Sequence, residues 1–199
     1  MPATDVISIA DARAHVGLNA NADATTLALF VSAASERLDE LCGPIVQRTF
    51  TNELHNGGDS EIQLFNWPVA SIVSITEYQM KAPVPLTQET NTVKPGAGFI
   101  VNPYSGIVYR RSAGGPFRFA VGQFNVSCTY VAGRYASTSV VASRFKLAAR
   151  IMVANWWRFE KGVGNQPLGN ADQGMFPTFS VPRAVLDLLA GDLRAQGIG

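Results

Sequence analysis

Apolar residues recur at helical spacing near both ends of the chain and at every second position through its middle. Ser8 opens a first short helix, with Asp11 three residues on in the manner of a capping box, and Ile9, Ala12 and Val16 form its stripe before Gly17 stops it. Asn19 to Asn21 is a polar linker. Asp23 or Thr25 then caps a second helix, whose apolar positions Leu27, Phe30, Val31, Ala34, Leu38 and Leu41 keep the period until Gly43-Pro44. Near the other end, Ser137 or Ser139 caps a third helix. Its stripe is Val141, Phe145, Ala148, Met152, Asn155, Trp156 and Phe159, and Gly162 ends it. Residues 162–180 show no periodicity and are expected to be a loop, and the glycine-rich stretch around Asn165 to Phe179 is expected to rearrange on meeting a partner, because its composition makes ordering costly without one. Pro182 opens a last helix with Val185, Leu186, Leu189 and Leu193 on one face, closed by Gly197.

Between these segments the period is two. Val46, Phe50 and Leu54 share one face of a first strand, and Asn56-Gly57-Gly58-Asp59 reads as a hairpin turn into a second strand with Ile62 and Leu64. A third strand runs from Val69 to Tyr78, and Pro83 and Pro85 are expected to break the chain. Ile107 and Tyr109 alternate after Ser105-Gly106. After Gly114-Gly115-Pro116 comes a strand with Phe124, Val126, Cys128 and Tyr130 on one side and Asn125, Ser127 and Thr129 on the other. The fold class expected is α+β: a helical bundle from residues 1–44 and 134–199, with an antiparallel β-sandwich or barrel lobe, residues 45–133, inserted between its halves.

The 199 residues are 47% hydrophobic and 16% charged, which suits an ordered globular protein and excludes a disordered one. The net charge is +1 but unevenly spread. Residues 1–80 carry 3 basic and 10 acidic side chains; residues 81–161 carry 11 basic and 2 acidic. Such a total gives no support for a dedicated nucleic-acid binder, whereas segregated charge lets unlike patches meet between neighbouring copies. No signal peptide or membrane-length apolar run is read from the sequence. Cys42 and Cys128 read as buried thiols in a reducing compartment.

Candidate chemistry is sparse. His15 and His55 have no ligand-spaced Cys or His beside them, so no metal or cofactor is expected. Asp39 and Glu40 are adjacent on a helix and point apart, unlike paired catalytic carboxylates. Pro95-Gly96-Ala97-Gly98 lacks the Lys-Ser/Thr of a phosphate loop, and no serine sits in a nucleophile elbow, so an enzyme is not expected. Trp156 continues the core stripe, while Trp157, turned about 100° on an ideal helix, suits either a core or a contact role. Arg144, Lys146, Arg150 and Arg158 lie on the third helix. A DNA-facing stripe is one reading. Subunit contact between Arg144, Arg150 and Arg158 and the acidic Glu36, Asp39 and Glu40 of the second helix is preferred.

Six segments in order carry a resemblance: ISIADARAHVGL, LFVSAASERLDELCGPIVQRTF, IQLFNWPVASIVSITEY, VSCTYVAGRY, FKLAARIMVANWWRFE and VPRAVLDLL. Together they resemble the phage head–tail connector (adaptor) family. The resemblance implies a virion structural protein, assembled in the host cytoplasm, that forms a ring of twelve copies beneath the portal protein. Such a ring extends the DNA channel without sequence-specific binding, crosses no membrane, and docks a head-closure or tail protein in the neck. It also implies that the carboxy-terminal segment engages the portal, which by position falls on Pro182, Ala184, Val185, Leu188 and Leu189. The alternatives are another neck protein, such as a head-closure stopper, and a carbohydrate- or host-binding β-module using Trp67 and nearby tyrosines.

Overall fold

The computed structural model describes residues 4–18, 23–79, 82–160 and 180–194. The fold is mixed α+β, with an eight-stranded, mostly antiparallel sheet and, among the described residues, four α-helices. The chain divides into two compact units: residues 1–46 with 135–199, and residues 47–134.

The first unit holds the helices. In α1 (Ile9–Val16) the Ser8 hydroxyl accepts from the Asp11 N–H at 3.0 Å, and the Asp11 carboxylate accepts in return from the Ser8 N–H at 3.3 Å. This reciprocal pair satisfies two amides at the helix start. α2 (Ala24–Cys42) buries Leu27, Phe30, Val31, Ala34, Ser35, Leu38 and Cys42 along one stripe, and Gly43, at φ 80°, takes the chain out of the helix. A short 3-10 turn, Thr138–Val140, leads into α3 (Ser143–Glu160). α4 (Arg183–Leu188) is brief and begins after Pro182. α3 packs against α1, α2 and α4, and the four share one apolar core that includes Ala12, Leu38, Phe145, Met152, Val185 and Leu189.

Because α3 is covered on several sides, a 100° step around it still lands inside. Trp157 is therefore a core residue, as is Trp156, and the Phe30 ring meets both indoles edge-on at 6.3 Å. Asn155 and Phe159, assigned to the stripe from the sequence, are exposed. Residues 161–179 and Gly197 lie outside the described residues.

The second unit is the sheet: β1 (Arg48–His55), β2 (Glu61–Gln63), β3 (Val69–Gln79), β4 (Ala82–Gln88), β5 (Gly98–Val101), β6 (Ile107–Ser112), β7 (Gly115–Pro116) and β8 (Val126–Ala132). Their order is β1-β8-β3-β4-β5-β6-β2, with β7 on β6. Several sequence expectations change here. The strands form a single path with a parallel step, β4 to β5, rather than a wholly antiparallel set. Loop 89–97 makes that step possible by returning the chain so that Thr87 pairs with Gly98.

Asn56–Asp59 does not join a hairpin, because β1 pairs with β8 and β2 pairs with β6. Pro83 and Pro85 do not break the chain; both lie within β4, opposite Tyr78 and Thr76 of β3. The amides of Thr87 and Glu89 donate toward β5, to Ala97 and Phe99 at 2.9 and 2.8 Å. The two proline nitrogens share that parity, ahead of where β5 pairing starts, so no ladder bond is lost. β1 carries a bulge between Phe50 and Glu53, with Asn52 at φ 55°, which turns Leu54 outward and buries His55. Phe124, at φ 48° and 64% exposed, lies before β8 rather than in it. The inward alternation of Val126, Cys128 and Tyr130 in β8 holds as read, and Ala132 continues it.

Charged groups sit inside this unit. The Glu77 carboxylate accepts from Arg110 Nη2 at 3.2 Å and from the Ala120 N–H, and Arg110 Nη1 also donates to the Gly98 carbonyl at 3.1 Å. Glu53 accepts from His55 at 2.8 Å, from the Tyr130 hydroxyl at 2.5 Å and from the Phe65 N–H at 2.9 Å. Burial pushes the Glu53 carboxyl upward, but these donors outweigh it and hold it below the usual carboxylate range.

Candidate functional site

The helical unit carries the residues singled out for contact. α2 buries one stripe and turns Leu29, Ala33, Glu36, Arg37 and Glu40 outward. Beside α3 these residues line a groove of about 410 Å³ with Phe30 and Trp156. Leu29 is 66% exposed at its mouth. The groove thus has an apolar, aromatic floor and a charged rim, where Arg37 and Glu40 pair one turn apart. Leu29 was not singled out from the sequence, although the signal was present: it is a large apolar residue two positions after Leu27, off the buried stripe.

A second, smaller hollow of about 200 Å³ is lined by His15, Ile151, Ala154, Asn155, Arg158 and Pro182. On an ideal helix Arg158 stands about 200° around from Trp156, so the two hollows open on opposite sides of α3.

The basic residues of α3 do not act as one stripe. Arg144 makes a two-pronged contact with Asp192, at 2.6 and 3.2 Å. Arg150 donates to Asp11 at 2.8 Å. Asp11 is held below its usual range first by the Ser8 hydroxyl and then by Arg150. Lys146 donates to the Ser139 carbonyl at 2.9 Å. Arg158 is exposed at the end of the helix. On α2, Asp39 is half-buried and accepts from the Ile45 N–H at 2.8 Å, closing the turn after the helix, while Glu36 and Glu40 face outward. The structure therefore does not bring Glu36, Asp39 and Glu40 onto Arg144, Arg150 and Arg158 within one chain.

Of the carboxy-terminal residues, Val185 and Leu189 are buried in the helical core. Pro182 and Leu188 are half-buried and Ala184 is exposed, so these three present the surface of the segment. Among the described residues no three metal-ligating side chains converge, and no helix is long and apolar enough to cross a membrane.

No family model and no curated protein matches the sequence. Solved structures do match. A chain from the neck of an empty gene transfer agent (GTA) particle, computed with C6 symmetry, superposes with a TM-score of 0.66 at 18% identity, covering 100% of this chain and 94% of that one. A chain from the neck of the native particle, computed with C12 symmetry, gives 0.60 at 16% identity, covering 100% and 93%. A chain from the virion of the native gene transfer agent gives 0.62 at 17% identity, covering 100% and 94%. The fold of this chain, end to end, is that of those neck-particle chains.

Proposed function

We propose that this chain is a structural subunit of the neck of a phage-like particle: an adaptor that assembles as a ring of copies beneath the portal. The observation that carries this reading is the fold likeness to chains from necks computed with C12 and C6 symmetry, which extends over 100% of this chain and nearly all of theirs. Twelve copies is the number proposed. The ring would extend the DNA channel and offer a docking face for a head-closure or tail protein, with no catalytic part to play.

The internal pairing of charge supports a channel that lets DNA slide. Each phosphate that a protein neutralises adds affinity and would retard the polymer. Arg144 and Arg150 are already matched by Asp192 and Asp11 of their own chain. In this reading Glu36, Glu40 and Arg158 make contacts between copies, with Asp39, Arg144 and Arg150 setting the helix ends and faces behind them. Pro182, Ala184 and Leu188 make the portal contact, with Val185 and Leu189 anchoring that segment in the core.

The test is assembly with purified portal. A closed ring on portal, seen by native mass and electron microscopy, is the expected result. Binding only after a separate adaptor has been added would make the chain a stopper. Glycan-array binding by the isolated subunit, with no portal binding, would favour the host-binding module instead.

A further inference from the structure

The segment between β7 and β8 is irregular yet tightly fixed. Gly57 N–H donates to the Gly122 carbonyl and to Asn125 Oδ1, at 3.0 and 2.8 Å. Gly58 N–H donates to Phe119, Phe119 N–H to Asp59, and Phe124 N–H to Asn56 Oδ1, all within 3.1 Å. From beneath, buried Glu77 accepts from the Ala120 N–H. There is no room to relax: a Cβ on Gly57 would lie 1.9 Å from the Ala120 carbonyl oxygen. The paired glycines that looked like a hairpin turn are instead the seat of this loop.

What the loop presents is apolar. Val121 is 91% exposed, and Phe124, 64% exposed, holds the left-handed backbone conformation that non-glycine residues avoid. Phe119 is buried as the anchor and Arg118 is exposed beside it. A loop braced this way has little freedom left to lose on binding, which is what a rigid contact residue needs. Its chemistry, two apolar side chains and a cation, suits the α2 groove, whose apolar floor is Phe30, Ala33 and Trp156, with Leu29 at the mouth, and whose rim carries Glu36 and the Arg37–Glu40 pair, leaving Glu36 as the carboxylate not answered by that pair.

We infer that the 118–124 tip of one copy seats in the α2 groove of a neighbouring copy, Val121 and Phe124 on the apolar floor and Arg118 beside Glu36. The occupant of the groove is thus a second copy of this chain, selected by charge and by the two exposed apolar surfaces that one contact hides together. Two different patches meet, so the contact is head-to-tail, the type that rotation closes into a ring. The inference rests on the ring assembly proposed above and names the surfaces that build it.

Disulfide trapping tests it. Chains carrying Val121→Cys and chains carrying Ala33→Cys are mixed with a thiol oxidant; both positions are exposed, and the native Cys42 and Cys128 are buried. The mixed dimer is expected to form roughly ten-fold faster than either self-linked dimer, because only the mixed pair is held close by docking. Phe124→Asp added to the Val121→Cys chain is expected to remove that advantage. Equal rates for mixed and self-linked dimers would overturn the tip-in-groove contact. The ring is read separately, by mass and microscopy of the unmodified chain with portal. A closed ring without preferential trapping leaves the ring and removes this contact, whereas trapping with no closed particle removes the ring and leaves the contact as an open-chain one.

Discussion

The two units solve the same problem of burial by different means. In the helical unit the backbone is satisfied within the helices, and the core is left to apolar side chains such as Leu38, Phe145, Met152, Trp156 and Trp157. Buried polar side chains there are few among the described residues, Asp5 and Ser35, and both serve the first segment: Ser35 accepts from the Val6 N–H at 2.9 Å, and half-buried Thr138 donates to the Asp5 carbonyl at 2.6 Å. In the β unit, irregular loops leave amides that no ladder uses. Buried carboxylates collect them. Glu77 ties Ala120, Glu53 ties Phe65, and Glu89 ties Gly114 at 3.0 Å. The lesson is that packed helices need mainly shape, whereas a sheet with long, fixed loops needs charge inside it.

Each unit carries one buried thiol, Cys42 with the helices and Cys128 with the sheet, so thiol labelling reports their opening separately. Burial, reinforced by the nearby Glu53 charge, pushes the Cys128 thiol up to about 12, so native labelling there should be slow. The largest effect is expected from Glu77→Ala. It leaves Arg110 buried without its charge partner and should destabilise by about 3–5 kcal/mol, while replacing both by apolar residues should restore much of the loss. Denaturant titrations measure this, with Cys128 labelling accelerated and Cys42 labelling little changed. Equal acceleration of both would show that the units open together, and the contrast would be lost.

Leu38→Ala is the counterpart in the helical unit. A fully buried leucine cut to alanine costs about 2–5 kcal/mol, and here Cys42 should be the thiol released. The third expectation concerns acid. Glu53 and Glu89 are both held below the usual carboxylate range by donors that outweigh burial. A depressed carboxyl stabilises the fold fully above its unfolded value, near 4.5, and loses that contribution as pH falls through the folded value. In the helical unit the shifts oppose one another: Asp11 is lowered by Ser8 and Arg150 from a start of 3.8, below that of a glutamate, while Asp5 is raised chiefly by burial, so protonation of Asp5 favours the folded form. Hydrogen-exchange protection should therefore fall first in the β unit below pH 4.5, and Glu53→Gln should make that fall shallower. Smallest of all is Arg150→Ala. Its pair with Asp11 is half-exposed, and its removal should cost about 1 kcal/mol or less in a thermal melt.

How much of this was legible depended on how local each cause was. The Ser8–Asp11 cap, the α2 stripe and the β8 alternation are written in residues a few positions apart, and the structure shows them where the pattern put them. Trp157 was ambiguous because a single-helix periodicity does not say how many neighbours surround α3. The Asn56–Asp59 turn misled because its glycines answer to residues 119–122, some sixty positions on. The Glu77–Arg110 pair joins residues 33 apart on different strands, and nothing in either local stretch announces it. Candidate contacts followed the same rule. That α3 was basic could be read directly; that Arg144 and Arg150 are answered by Asp192 and Asp11 required the fold.

The prolines of β4 carry one more consequence. A strand margin that is open over residues 83–85 invites another chain to add on by main-chain bonding, but each proline withholds the hydrogen that such an addition would use. Copies of the chain are thereby hindered from zipping together margin to margin into fibres, and a ring such as the one proposed would have to be held by side chains instead.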